Sequence, residues 1–480
     1  MKLSVKDIEF YVREMPMRMP FKFGNVIIDS QAALHVEMVV ELADGRRGRG
    51  WAADMLAPRW FDKDQGKSVG QGLRDLAEGA RIAAAAYQEA GRRGASAFSI
   101  WAAGYEAGRV WGVEQGINSL LASNGSALME RALIDGLGVA SGHSYFAILQ
   151  GDMLGLALGW IHAELADLKL ADFLPPEPLR SLHIRHTVGL VDPIRTADIA
   201  AEDRLDDGLP QSLEEYIDLQ GVRYCKIKIG GDPEADLDRL QQIAEVLAPR
   251  GQEYGITLDG NEQYQDAGDL LTLLERVEER VPDFYKNVLY IEQPLDREIS
   301  LDPRLEGDIR ALAAKRPMLI DEADEALDTF RRSVDLGYSG VSSKSCKGLI
   351  KALANFALVQ KLNESGRTCF LSAEDLTTVP VVSLQQDLVH VAALGIEHLE
   401  RNGHHYVRGL DHLSASERGR CLELHGDLYR AEGASGFLDI RDGRIQVESL
   451  QTVGLGIDEL VDRTAMEPLE SWLPQAEESV

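Results

Sequence analysis

Residues 254–263, YGITLDGNEQ, and residues 287–295, NVLYIEQPL, decide the fold, because each is a short apolar run that ends in a carboxylate. Runs of the same kind recur before and after them and alternate with helix-length segments such as LDRLQQIAEVLA at 237–248. Strands that alternate with helices are typical of a parallel sheet with crossover helices. The further strand candidates are LHIRHTVGL (182–190), VRYCKIKIG (222–230), PMLIDEA (317–323), GVSSKS (340–345), TCFLSAE (368–374) and GIEHLERN (395–402).

Eight such repeats favour a closed (β/α)8 barrel over an open sheet. We assign residues 181–410 to this barrel, which follows a break with three prolines, LPPEPLRS at 174–181. Residues 1–180 form an α+β capping domain. It begins with strand candidates and continues with helical periodicity from about 65 to 172. Residues 411–480 contain a hairpin, IRDGRIQ at 440–446, and we expect this tail to return to the N-terminal sheet.

The strand candidates of the cap are IEFYVREM (8–15), HVEMVVEL (35–42) and RRGRGWA (46–52). We interpret residues 15–29, which are rich in Met, Pro and Gly, as a loop. Together with 52–62 they are the segments that we expect to determine specificity. Lys22 and Trp60 are candidate substrate contacts there, in an apolar wall that carries one cation.

The overall charge limits the partners. The chain has 50 Lys and Arg against 78 Asp and Glu, a net charge of -28, which disfavours nucleic acid and anionic membranes. No run of 18 apolar residues occurs, and MKLSVKDIEF has charges where a signal peptide needs an apolar stretch. We expect a cytoplasmic homo-oligomer that binds a small molecule.

Charged residues occupy one equivalent position in consecutive repeats. The intervals from Lys228 to Glu374 are 31, 33, 29, 23 and 30 residues, each close to one strand–helix unit. Because barrel active sites lie at the carboxyl ends of the strands, we expect these side chains to meet at one rim. The residues in this register are Lys228, Asp259, Glu292, Asp321, Lys344 and Glu374.

The three central carboxylates would repel one another unless a cation lay between them. Oxygen ligands without His or Cys select Mg²⁺, or Mn²⁺, over zinc. Lys226 and Lys228 are two residues apart and so point to one face of their strand. Two neighbouring ammonium groups near a metal lower each other's pKa, and we therefore expect a neutral lysine to act as a base.

The ordered set of motifs resembles the muconate lactonizing enzyme-like subgroup of the enolase superfamily. The set is KIKIG, DGN, IEQP, IDEAD, KSCKG and the strand-seven Glu374. The resemblance extends over nearly the whole chain. The mandelate racemase-like subgroup pairs a strand-seven His with a strand-six Asp, and here those strands offer Glu374 and Lys344. Departures from the family are Gln293 in place of the commoner second Glu and a strand eight without Asp-x-Asp.

The resemblance implies a Mg²⁺ ion on Asp259, Glu292 and Asp321 that holds a substrate carboxylate. Lys228 and Lys344 would then add or remove the proton α to that carboxylate on opposite faces. Lys226 would lower the pKa of Lys228 and hold a carboxylate oxygen.

Asn261 and Glu374 are further candidate substrate contacts, in addition to Lys22 and Trp60. Two bases on opposite faces favour a racemase or epimerase. A lyase, dehydratase or cycloisomerase with the same lysines is the alternative, and a non-catalytic carboxylate-binding barrel is a third. The sequence leaves the substrate and the role of His404 and His405 open.

Overall fold

The structure is a computed structural model that describes residues 1–23, 26–250, 253–457 and 460–478. Its central feature is a closed ring of eight parallel strands. The order runs from β4 to β11, and β11 pairs in turn with β4. The barrel strands are β4 (Ser181–Val188), β5 (Tyr224–Lys228), β6 (Gly255–Asp259), β7 (Val288–Glu292), β8 (Met318–Ile320), β9 (Gly340–Ser343), β10 (Phe370–Ala373) and β11 (His398–Arg401).

Each expected barrel strand is present, and the (β/α)8 fold is confirmed. Helices follow the strands and cover the outside of the ring. They are α7 (Leu213–Gln220), α8 (Pro233–Leu247), α9 (Ala267–Arg280), α10 (Pro282–Lys286), α11 (Glu306–Lys315), α12 (Thr329–Leu336), α13 (Leu349–Glu364), α14 (Val382–Leu394), α15 (Gly403–Tyr406) and α16 (Ala415–Leu424).

The N-terminal sheet has the order β15-β1-β2-β3, and helices pack on it. Its strands are β1 (Leu3–Phe23), β2 (Val26–Leu42), β3 (Arg47–Met55) and β15 (Glu467–Pro468). The helices of this part of the chain are α1 (Pro58–Phe61), α2 (Val69–Gly91), α3 (Ala97–Gln115), α4 (Ser119–Ser141), α5 (Tyr145–Gln150) and α6 (Leu158–Ile161). Among the helices of the described ranges, none has both the length and the apolar character needed to cross a membrane.

Glycine explains how β3 packs against α4. A Cβ on Gly48 would lie 2.1 Å from the carbonyl oxygen of Gly136, and a Cβ on Gly50 would lie 2.0 Å from that of Ala132. Only a residue without a side chain fits at so short a separation. The RGRG of β3 therefore lies directly on the backbone of α4.

The expectation of a loop in the cap was wrong. Residues 15–23 and 26–29 belong to strands, because β1 and β2 pair antiparallel there, with a register shift between Pro16 and Phe21. Residues 24–25 of this segment lie outside the described residues. The shift accommodates prolines that a regular ladder would exclude.

The hairpin at 440–446 does not join the N-terminal sheet. Its strand β14 (Arg444–Gln446) pairs antiparallel with β4 of the barrel, while β12 (Tyr429–Glu432) and β13 (Ser435–Leu438) form a separate pair. The tail reaches the cap later, where β15 pairs with β1 and α17 (Leu469–Glu478) packs on α2.

A buried carboxyl group joins the cap to the barrel. Glu130 of α4 is fully buried, and its Oε1 accepts a hydrogen bond from the backbone N–H of Ile350, 3.0 Å away in the first turn of α13. Burial raises the pKa of Glu130 to about 8. The group therefore favours its protonated form in the folded protein.

We predict that Glu130 makes the protein less stable as the pH rises from about 4.5 to about 8. In this window the folded state binds more protons than the unfolded state, so the free energy of unfolding falls as the pH increases. Each unit of pKa difference corresponds to about 1.4 kcal/mol. Denaturant titrations of Glu130→Gln across this range should show a flatter pH dependence. Glu114→Gln, on the exposed face of α3, serves as the control, and identical profiles for both variants would contradict the prediction.

Candidate active site

The site lies at the carboxyl ends of the barrel strands. Lys228, Asp259 and Glu292 are Cα partners across β5, β6 and β7, so they stand at one level of the rim. Asp321 and Lys344 directly follow β8 and β9. β5 and β9 are four steps apart in a ring of eight strands, and the two lysines therefore approach the centre from opposite sides.

Lys226 lies at the centre of the rim and is 1 % exposed. Its ammonium group contacts four carboxylates on four different strands or strand ends. The distances from Nζ are 3.0 Å to Asp259 Oδ2, 2.7 Å to Glu292 Oε1, 2.9 Å to Glu374 Oε2 and 2.8 Å to Glu400 Oε2. One cation thus offsets much of the repulsion among these acids.

Lys228 and Lys344 each contact one of the carboxylates proposed as metal ligands. Lys228 Nζ donates to Asp259 Oδ2 at 2.6 Å, and Lys344 Nζ forms a close ion pair with Asp321 Oδ2. Lys344 also lies over the Trp60 ring, 4.6 Å from its centroid. The Trp60 side chain from the cap therefore contacts a candidate base of the barrel.

Asp321 is held by residues behind the rim. Ser342 Oγ donates to Asp321 Oδ1 at 2.6 Å, and Lys347 Nζ donates to the Asp321 backbone oxygen at 2.9 Å. Gln293 Oε1 accepts from the N–H groups of Asp321, at 2.9 Å, and Ala323, at 3.2 Å. The glutamine that departs from the family pattern thus orients the turn that carries Asp321.

One narrow cavity opens between the cap and the rim. Its volume is about 20 Å³, which leaves room for about one water molecule. The lining residues are Phe21, Met55, Trp60, Lys228, Asn261, Lys344, Asp375, Leu376, Thr377, Glu400 and Asn402.

The other candidate substrate contacts differ in whether they line this cavity. Trp60 and Asn261 line it, whereas Lys22 is not among the lining residues. Glu374 lies beneath it. One oxygen of Glu374 accepts from Tyr290 OH at 2.8 Å and from Arg185, and the other contacts Lys226.

An ion-pair clamp holds the cap segment that carries Trp60. Arg297 donates to the backbone oxygens of Trp60, at 3.1 Å, and Phe61, at 3.0 Å, and is paired with Glu262. Lys63 is also paired with Glu262 and donates to the backbone oxygen of Asn261 at 3.1 Å. The clamp therefore connects the cap to the loop that follows Asp259.

The electrostatics differ from the sequence expectation of a lowered lysine pKa. Burial lowers the pKa of Lys226, but the carboxylates around it, beginning with Asp259, outweigh burial and raise that pKa well above its usual value. Burial also lowers the pKa of Lys344, but the charges of Asp321, Glu322 and Glu292 together outweigh burial and raise that pKa. Burial and the charges of Asp259 and Glu374 raise the pKa of Glu292.

The donor chemistry of the rim fits a hard divalent cation. Asp259, Glu292 and Asp321 offer only oxygen, and Glu292 Oε2 is buried without a hydrogen-bond partner, as are Asn261 Oδ1 and Glu322 Oε2. Within the described ranges, no group of three or more His, Cys, Asp or Glu side chains is arranged so that it could hold a metal ion. Lys226 and Lys344 contact these carboxylates instead.

Sequence reasoning missed several residues of the site. Glu400 and Asn402 at the end of β11 line the cavity, although this strand lacks an Asp-x-Asp pair. Their i, i+2 spacing was a usable signal, as it was for Lys226 and Lys228. His404 and His405 are not isolated loop residues, since His404 lies 3.1 Å from His186 Nδ1 and His405 lies 2.8 Å from Tyr216 OH.

We predict that Arg297→Met loosens the cap segment, because the backbone oxygen of Trp60 loses its side-chain donor and that of Phe61 keeps only Asn118. Trypsin should then cleave after Arg59, Lys63 or Lys67 several-fold faster than in the wild type, with Trp fluorescence reporting the exposure of Trp60. Arg304→Met, which removes an exposed arginine paired with Asp302, is the control. Equal cleavage rates in the two variants would show that the clamp does not hold the cap.

Comparison with known proteins supports the architecture. Residues 208–363 match the family model described as enolase C-terminal domain-like. No curated protein sequence matches the chain. Solved structures with the same fold include an N-succinyl Arg/Lys racemase from Bacillus cereus, with 17% identity and a TM-score of 0.58, covering 99% of this chain and 98% of that one.

Two further structures share the fold. A dipeptide epimerase from Enterococcus faecalis, complexed with Mg and the dipeptide L-Leu-L-Tyr, has 14% identity and a TM-score of 0.57 over 94% of this chain and 99% of that one. An enolase from Bradyrhizobium, complexed with magnesium and mandelic acid, has 14% identity and a TM-score of 0.56, covering 95% of this chain and 96% of that one. At these identities the structures establish the fold, and the family match rests on residues 208–363. Residues 208–363 are therefore similar to the enolase C-terminal domain, and the chain as a whole shares the capped-barrel fold of these structures.

Proposed function

We propose that the protein is a Mg²⁺-dependent enzyme that removes and returns the proton α to the carboxylate of a small substrate, as a racemase or epimerase. The observation that carries the proposal is the arrangement of five side chains. Lys228 and Lys344 stand on opposite strands of the ring and line one cavity. Asp259, Glu292 and Asp321 come from the three strands that lie between them.

Asp259, Glu292 and Asp321 are the residues that would hold Mg²⁺. A bound Mg²⁺ would supply Lewis-acid stabilisation of negative charge on the substrate carboxylate. Loss of an α-proton is difficult because the resulting dianion is high in energy, and charges placed in advance around it can lower that barrier by several kcal/mol. The magnesium complexes of the epimerase and the enolase with this fold support the choice of metal.

The two lysines hold and move the proton. In the proposed reaction the neutral amine of the lysine on one face takes the α-proton and becomes an ammonium group, and the ammonium group of the lysine on the opposite face returns a proton and becomes neutral. Lys226 remains an ammonium group, consistent with its four carboxylate contacts, and supplies charge beneath the substrate. Glu374, which contacts Lys226 and is held by Arg185 and Tyr290, acts in this proposal by positioning Lys226.

In this proposal the cap limits the access of water to the site. Trp60, which is 3 % exposed, lies over Lys344 and belongs to one apolar cluster with Phe21 and Met55. Closing a site over the reacting atoms strengthens electrostatic interactions within it and protects a reactive intermediate.

The proposed function is tested by incubating a library of carboxylates in D₂O with Mg²⁺ and reading deuterium incorporation by mass spectrometry. Racemisation or epimerisation requires exchange of the α-proton with solvent. A non-catalytic carboxylate-binding barrel would give binding without exchange for every acid in the library.

The metal ligands give a sharper prediction. Asp259→Asn, Glu292→Gln and Asp321→Asn should each weaken Mg²⁺ binding more than about tenfold in calorimetry, since each removes a charged oxygen donor. Asp236→Asn is the control, because this buried carboxylate accepts from Gly230 N, Gly231 N and Tyr264 OH instead. Normal Mg²⁺ affinity in Glu292→Gln would contradict the assignment.

The two lysines are tested with single antipodes of an exchanging substrate. Lys228→Ala should lose α-proton exchange with one antipode, and Lys344→Ala should lose it with the other, because each lysine serves one face. If both variants lose activity against the same single antipode, and to different extents, the result would favour the lyase or cycloisomerase alternative. Full exchange in the double variant would exclude the mechanism.

A further inference from the structure

A helix of the cap contacts the turn that follows Lys344. This turn, residues 345–348, begins with one turn of 3₁₀ helix and leads into the barrel helix α13. The N–H of Lys347 donates to the backbone oxygen of Lys344 at 2.9 Å, and the N–H of Gly348 donates to that of Ser345 at 3.1 Å. Because the backbone of Lys344 is hydrogen-bonded to the turn, whatever fixes the turn also fixes the start of the Lys344 side chain.

Helix α13 has no side-chain cap of its own. Its N-cap residue is Gly348, which has no side chain, so the first N–H groups of the helix need an acceptor from elsewhere. Glu130 of α4 supplies one, since its Oε1 lies 3.0 Å from the backbone nitrogen of Ile350. Gly348 allows this approach, because a Cβ there would lie 2.9 Å from the same oxygen. A side chain of the cap thus completes the N-terminus of a barrel helix.

A second residue of α4 contacts the same turn. Asn124 is 4 % exposed, and its Nδ2 donates to the backbone oxygen of Cys346 at 3.3 Å. The barrel holds the turn through side chains instead, since Asp387 accepts from Ser345 Oγ at 2.8 Å. The two contacts from α4 are therefore made to the backbone of the turn and of the helix that continues it.

Helix α4 is itself firmly joined to the cap sheet. The backbone of β3 lies directly against it at Gly48 and Gly50. Arg131 of α4 is fully buried and pairs with Asp54 of β3. Buried contacts of this kind keep an element from opening locally, so α4 offers a fixed surface to the turn 345–348.

We propose that Glu130 is a positioning residue, which acts through the turn 345–348 to place the amine of Lys344 at the reacting carbon. Its oxygen fixes the first turn of α13, and the turn 345–348 fixes the backbone of Lys344. The Lys344 side chain then contacts Asp321 and the Trp60 ring. Lys228 stands on β5, on the opposite side of the ring. The inference rests on the proposed function, and it predicts that loss of Glu130 affects one of the two bases much more than the other.

The two antipodes of an exchanging acid separate the two bases. The antipode whose exchange is lost in Lys344→Ala is the one that Lys344 deprotonates. Glu130→Leu should lower kcat for exchange of that antipode about tenfold, because a small displacement of a reacting group has a large effect on rate, while the other antipode stays within about threefold. KM for both antipodes should change less than about threefold. Glu130→Gln keeps an acceptor for the N–H of Ile350 and should restore most of the rate.

A purely structural role for Glu130 predicts a different result. If Glu130 only stabilised the fold, Glu130→Leu would slow exchange of both antipodes equally, and that outcome would overturn the inference. Asp135→Asn is the matched control, because Asp135 is a buried carboxylate of the same helix that accepts from the N–H groups of Trp51 and Leu455, at 2.9 and 2.7 Å. Any loss of rate in this variant should fall equally on both antipodes.

A second measurement does not depend on the reaction. Lysines are methylated with formaldehyde and borohydride, without Mg²⁺ or substrate, and peptide mass spectrometry gives the labelling of Lys344 relative to Lys228. Both side chains are buried in the wild type. Glu130→Leu should raise this ratio several-fold, because a loosened turn exposes Lys344 and leaves Lys228 in place. An unchanged ratio would overturn the inference.

The two measurements separate this inference from the proposed function. A raised labelling ratio in a protein that exchanges the α-proton of no acid would support the control of Lys344 by Glu130 and count against the proposed reaction. Exchange by the wild type, with an unchanged ratio in Glu130→Leu, would support the reaction and overturn the role of Glu130. If Glu130→Leu does not fold, Asn124→Leu, which removes the donor to Cys346, is used in the same comparisons with the same expected results.

Discussion

The rim of this barrel depends on the burial of one ammonium group among carboxylates. Lys226 Nζ contacts acids from β6, β7 and β11 and the acid that directly follows β10, within 3.0 Å of each. Buried carboxylates repel one another and lose their hydration, and a shared cation compensates for both effects. Because the four acids belong to strands around the ring, the same contact that balances charge also fixes the strand ends relative to one another.

The pKa directions follow from this arrangement. Asp259 keeps a lowered pKa despite burial, because Lys226 and Lys228 both face it, whereas burial and neighbouring acids raise the pKa of Glu292. Carboxylates of one cluster thus differ in their tendency to hold a proton. Carboxylates surround Lys226, and Lys228 and Lys344 stand on opposite strands of the ring, a distribution that suits the proposed binding of a divalent cation together with a carboxylate.

The cap and the barrel form one functional unit. Arg297 and Lys63 connect the cap segment 57–63 to the loop after β6, and Trp60 from the same segment covers Lys344. Ligand access and the surroundings of a candidate base therefore depend on the same few residues.

The sequence by itself determined the barrel, its strands and the register of Lys228, Asp259, Glu292, Asp321 and Lys344. This was achievable because strand and helix periodicity are local properties, and because the barrel architecture places every strand end at one rim. The partners of those residues depended on tertiary structure. The four-carboxylate contact of Lys226, the support of Asp321 by Gln293 and the contact of Glu130 with α13 involve residues far apart in the chain. The long hairpin of β1 and β2 and the pairing of β14 with β4 were also decided by packing, since local turn and proline signals do not specify which strand a segment will meet.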